Sequence, residues 1–295
     1  MRLAVRHPVC WIGLTASCLL AAVLLVTLAL WPGTDRPVTL PHTPPQRALG
    51  ASPGEGGKSV SFDDAVSPPQ VNTTSAAGLA IVIDDLGENM QAVHALLDLR
   101  IPIAFAILPH GRLAREAALA AHAAGCAVLI HQPMEPLNAT AKPGPNVLRA
   151  GMPRHRMEAI FRQSLTRVPH AEGLSNHMGS RFTSQPEAVR LFCEIVADSG
   201  LFVLDSVTHP ASVLYEEAHA AGISAARRTL FLDDTPGKAL VLARLHEATR
   251  LVQHGKYVIV IGHPHADTLA ALREWNSTRA PGLCLLSLRD CLTPP

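Results

Sequence analysis

The stretch LAIVIDDLG at 79–87 sets five aliphatic residues in a row, then two aspartates, a leucine and a glycine. An apolar run without polar alternation is the pattern of a strand buried on both faces. The same signature recurs at IPIAFAIL (101–108), AVLIHQP (127–133), LFVLDS (201–206) and YVIVIGH (257–263). Weaker candidates are EGLSNH (172–177), the stretch near 223–233, and LCLLSL (283–288). Between them, helical spacing appears at 89–99, 113–124, 154–168, 186–199 and 238–254. Apolar strands separated by amphipathic helices imply a parallel sheet covered on both faces. Seven or eight such units fit a closed or nearly closed β/α barrel, with a doubly wound open sheet as the alternative.

Polar residues fall where these runs stop: Asp84-Asp85, His131, Asn176-His177, Asp205-Ser206, Asp233 and His263. In a parallel β/α fold the C-terminal strand ends form one rim, so side chains there converge on a shared pocket. A single one reads as a helix cap; six together read as a site. His110 and His209 also follow strand ends and are candidates for its edge. Adjacent carboxylates at 84 and 85 can divide two tasks, one ligating a metal and one reaching a water as general base. Imidazoles at His131, His177, His263 and His265 suit zinc or a similar ion. Carboxylate plus imidazole is the chemistry of metal-assisted hydrolysis. The residues alone stop there, with no substrate.

The combination VIDDLG (82–87), HQPMEP (131–136), NHMGSRFT (176–183), LDS (204–206) and IGHPH (261–265) resembles the divergent polysaccharide deacetylase family, distant relatives of the NodB-type carbohydrate esterases. The resemblance implies a distorted seven-stranded β/α barrel and an exported hydrolase that removes acetyl groups from an N-acetylated glycan. It maps a base onto Asp84, a metal ligand onto Asp85 and the acid that protonates the leaving amine onto His263. The second motif of the NodB-type enzymes supplies two ligand histidines; here His131 stands at the first and Glu135 at the second. The metal, most simply Zn2+, is then expected on Asp85, His131, His177 and Glu135. Asp205 is the candidate to orient His263, and Arg181, Asn176 and His265 are the candidate substrate contacts. The alternative is a membrane-tethered envelope protein that keeps the fold as a binding module or scaffold with little or no catalysis.

The chain divides into three. Residues 9–31 carry no charge and follow Arg2 and Arg6, so 1–31 reads as a single-pass anchor with the remainder outside the cytoplasmic membrane. A cleaved signal peptide, giving a secreted protein, is the competing reading. Residues 32–77 hold eight prolines and no periodicity, which reads as a disordered tether, and 78–295 is the barrel domain. With 25 Lys plus Arg against 24 Asp plus Glu, the chain lacks the basic field that nucleic acid requires. Only 4% of residues are aromatic, which argues for a small acetylated saccharide over a long glycan. Trp275 reads as packing. Cys284 and Cys291 are a possible disulfide. No phosphate-binding glycine loop or Gly-x-Ser-x-Gly elbow occurs.

Overall fold

The computed structural model describes residues 77–295; the expected anchor and nearly all of the expected tether lie outside the described residues. In chain order the elements are β1 (Gly78–Leu86), α1 (Met90–Leu97), β2 (Ile103–Ile107), α2 (Ala114–Ala123), β3 (Ala127–Met134), α3 (Arg154–Arg167), β4 (Gly173–Met178), α4 (Pro186–Ala197), β5 (Phe202–Asp205), α5 (Leu214–Ala220), β6 (Ala225–Arg227), β7 (Leu230–Phe231), α6 (Lys238–Gln253), β8 (Tyr257–Gly262) and α7 (Ala266–Thr278). Every strand pair is parallel. Among these described residues, no helix is long and apolar enough to cross a membrane.

The strand order, β6-β5-β4-β3-β2-β1-β8-β7, runs round in sequence without a reversal. A doubly wound sheet needs such a reversal at its switch point, so that alternative falls. The expected seven strands are eight because one segment is split. Ala225–Arg227 pairs with β5 and Leu230–Phe231 pairs with β8, with Arg228 and Thr229 between. The two outermost strands are thus successive pieces of one stretch. The ring is joined there by chain and not by hydrogen bonds, giving a distorted, incompletely closed β/α barrel.

Two apolar clusters alternate along the strands. Leu79, Ile81, Ile83, Ile103, Phe105, Val128, Ile130, Val258 and Val260 pack outward against the helices. Ala80, Val82, Ala104, Ala106, Ala127, Leu129, Leu204, Ile259 and Ile261 pack inward. This two-sided burial is why the strands read as unbroken apolar runs. Many inward residues are small, and Gly173 leaves the space that the Phe202 ring fills. LCLLSL (283–288) is not a strand. It makes one parallel bridge, Leu79 to Leu285, and Leu288 and Cys291 then join the inward cluster at the N-terminal end. Cys284 and Cys291 are free thiols. Trp275 is buried in the outer cluster, as its helical context predicts.

Candidate active site

The inward parity of each strand selects the side chains that reach the rim. Continuing Ala80 and Val82 by two gives Asp84; continuing Ala127 and Leu129 gives His131; continuing Ile259 and Ile261 gives His263. Ile83 pairs with Gly262, so Asp84 and His263 follow as neighbours on adjacent strands. On β4, Ser175 is in register with His131 and His177 with Pro133.

Asp85 breaks the parity. As the next residue it should face the helices, but its φ is 58°, and the β1–β2 register shifts between Ile83 and Leu86. This bulge turns a second consecutive carboxylate toward the rim. Met178, the last residue of β4 (φ 52°), and Val207, just past β5 (φ 47°), are left-handed too, so the rim carries backbone strain at three strand ends.

Asp85, His131 and His177 each offer a ligand atom within 4.8 Å of the others. Asp85 Oδ1 lies 3.2 Å from His131 Nε2 and 2.7 Å from His177 Nδ1. Yet this buried oxygen has no hydrogen-bond partner, because neither contact has the direction of a hydrogen bond. Atoms that crowd together without aiming at one another fit ligands that share a third atom, and one carboxylate with two imidazoles is a zinc-type donor set. His131 Nδ1 is 2.7 Å from Ser175 Oγ, which fixes the ring with Nε2 toward the cluster. Burial acts to raise the Asp85 pKa, but the nearness and charge of His131 and His177 outweigh it and hold the carboxyl below its ordinary value.

Asp84 is 2% exposed, with Oδ2 3.5 Å from His131 Nε2 and Oδ1 unpartnered. Burial pushes its pKa up. Opposite it, His263 Nδ1 is 2.9 Å from Asp233 Oδ1, while Asp233 Oδ2 accepts from the His263 backbone N–H and from Thr268 Oγ, both at 2.7 Å. Burial alone would lower the His263 pKa; the hydrogen bond and charge of Asp233 push it up to about 9. Phe231 packs against the His263 ring, and Arg228 lies over Phe231 at 3.8 Å. Arg228 is held by the carbonyls of Ser206 (2.6 Å) and Val207 (2.7 Å).

Three expected roles do not survive this geometry. Asp205 does not orient His263. It faces outward, accepts from Val207 N–H (2.8 Å) and Ser212 Oγ (2.9 Å), and is fully buried; Asp233 has the orienting position. Glu135 lies outside the Asp85–His131–His177 cluster: its Oε2 accepts from Ala150 N–H at 3.0 Å and pins the β3–α3 loop, while Oε1 faces Arg181 at 3.7 Å. Asn176 has its amide engaged within the protein. It is buried, donates to the Met178 carbonyl (2.8 Å) and accepts from Ser206 N–H (2.9 Å), latching β4 to β5. Arg181, its side chain 56% exposed, stands 3.7 Å from Glu135 and is not brought to the cluster. His265 is exposed, its ring 5.8 Å from that of His263. His110 is half-buried under Gly144, its Nδ1 unpartnered. Asp233, Ser175, Thr268 and Arg228 were not singled out for these roles by the sequence.

Residues 81–290 match the divergent polysaccharide deacetylase family. An uncharacterized protein, YibQ, from Escherichia coli (strain K12) is 34% identical over 220 residues, covering 75% of this chain and 69% of its own. An uncharacterized protein from Haemophilus influenzae is 33% identical over 195 residues, covering 66% and 69%. The crystal structure of an uncharacterized protein from Agrobacterium tumefaciens C58 superposes with a TM-score of 0.67 at 21% identity, covering 72% of this chain and 88% of that one; this likeness speaks to the fold alone. With the family's match spanning most of the described domain, the chain belongs to the divergent polysaccharide deacetylases.

Proposed function

We propose that the domain is a metal-dependent hydrolase that removes N-acetyl groups from a carbohydrate of the cell envelope, outside the cytoplasmic membrane to which residues 9–31 tether it. The observation that carries this reading is the pairing on adjacent strands of a buried carboxylate, Asp84, with an imidazole charged by Asp233, beside the Asp85–His131–His177 cluster.

Asp85, His131 and His177 would hold the ion, which when bound supplies Lewis acidity to the amide carbonyl and makes water a better nucleophile. Asp84 is the base. Its burial leaves the carboxylate poorly solvated and eager for a proton, and its unpartnered Oδ1 is free to take one from the attacking water. His263 is the acid: Asp233 engages Nδ1 and keeps the ring protonated at neutral pH, leaving Nε2 to deliver a proton to the departing amine. Thr268 and the His263 backbone N–H fix Asp233 from its other oxygen. Neither tyrosine offers a sugar platform at the rim: Tyr257 begins β8 at the opposite end, and the Tyr215 ring is covered by the Arg227 guanidinium at 4.9 Å. That favours a short acetylated saccharide.

Acetate release from acetylated chito-oligosaccharides, followed with and without chelator, tests the reaction. Chelation should abolish release, and Asp84→Asn should lower it by about 10²–10⁴-fold while zinc is retained. Release indifferent to both would sink the proposal. A C-terminal alkaline phosphatase fusion that stays inactive in cells would overturn the placement outside the membrane.

A further inference from the structure

We propose that Asp233, His263 and His265 form a second, weaker divalent-cation site whose occupation silences the proton donor; this rests on the deacetylase reading above. The three residues each offer a ligand atom within 4.8 Å of the others. The sequence His263-Pro264-His265 brings both rings to one side, because the His265 N–H closes a tight turn on the His263 carbonyl at 2.8 Å. The ring centroids are 5.8 Å apart, with their planes 31° from parallel. Asp233 is held in place through Oδ2, which leaves Oδ1 turned toward His263. Asp233, Thr268 and His265 also line a cleft of about 320 Å³ together with Pro236 and Gly237, while the His263 ring stands outside it, across Asp233. One carboxylate and two imidazoles suit zinc.

The two clusters differ in what an ion must displace. At Asp85 the carboxylate oxygen has no directed partner. At Asp233 an ion must break the 2.9 Å contact between His263 Nδ1 and Asp233 Oδ1. The second site therefore fills only after the first. Once an ion sits there, the pairing of His263 with Asp233 is broken and the ring no longer delivers a proton to the amine.

The test uses the full chain, stripped of metal and titrated with zinc. Bound zinc is read by equilibrium dialysis, the His263 ring by NMR and acetate release in parallel. Two equivalents are expected, with release rising as the first binds and falling as the second binds. The His263 resonances should move with the second equivalent only. In His265→Gln the second dissociation constant should rise by at least about tenfold, an effect no smaller than outer-shell partners command, and release should stay level at high zinc. One equivalent with no fall in release would overturn this inference and leave the deacetylase reading standing. The same holds for a fall in release unchanged in His265→Gln. No tight first equivalent, or no release on adding it, would overturn both.

Discussion

Asp85 and Asp233 are both carboxylates beside two histidines on one rim, yet their oxygens are committed differently. Asp85 Oδ1 sits between two imidazole nitrogens with no directed hydrogen bond to either. Asp233 meets three donors, two of them on Oδ2. A buried acceptor left unmatched is costly, so the first arrangement makes sense as a place for a ligand. The second makes sense as a holder of a charged ring. Similar composition thus suits tight binding in one place and a raised proton affinity in the other, and bond direction separates them.

Removing a ring from the first cluster should have the largest effect. In His177→Ala the tight zinc equivalent disappears and acetate release drops to background; zinc retained at full affinity would break the distinction. Asp233→Asn comes next. The tight zinc should remain, while the His263 pKa falls from about 9 toward its ordinary 6.5, carrying the alkaline limb of the rate profile to lower pH. The rate at pH 8 should fall by about 30-fold as the protonated fraction of His263 drops. The pairing also stabilises the fold: because the folded pKa is raised, this contribution is fully present below about pH 6.5 and lost as pH rises through about 9, and it amounts to about 3 kcal/mol at most. Denaturation of both proteins at pH 6 and pH 10 checks the sign, since equal differences at the two values would exclude charge pairing. Glu135→Ala should do least. It removes the pin on Ala150 at a cost of about 1 kcal/mol in unfolding free energy, with zinc stoichiometry unchanged.

The barrel was legible because its strands are buried on both faces and each apolar run ends in a polar residue. Asp84, His131, His177 and His263 stood out for that reason. The period of two would also have sorted their neighbours. Ser175 and His177 share a face, which turns Asn176 outward, and the inward Phe202 and Leu204 turn Asp205 outward. Asp233 was seen as a rim residue, but its partnership with His263 was not legible. It follows a strand of two residues, Leu230–Phe231, too short to show a period. The inward turn of Asp85 depends on a left-handed backbone that no side-chain pattern announces. Glu135 stands where the resemblance to NodB-type enzymes led to a ligand, and only the folded loop shows its hydrogen bond to Ala150 N–H.

The split segment at 225–231 bears on how the domain behaves beside other copies of itself. A parallel sheet with two free margins would offer unpaired backbone to any passing strand, the usual route to edge-to-edge aggregation. Here the margins are three and two residues long. The longer one is already covered where Ala225 and Thr293 exchange both backbone hydrogen bonds, at 3.0 and 2.9 Å. The eight-stranded sheet therefore offers other chains almost no template, and the last residues of the chain act as a guard on its one sizeable margin.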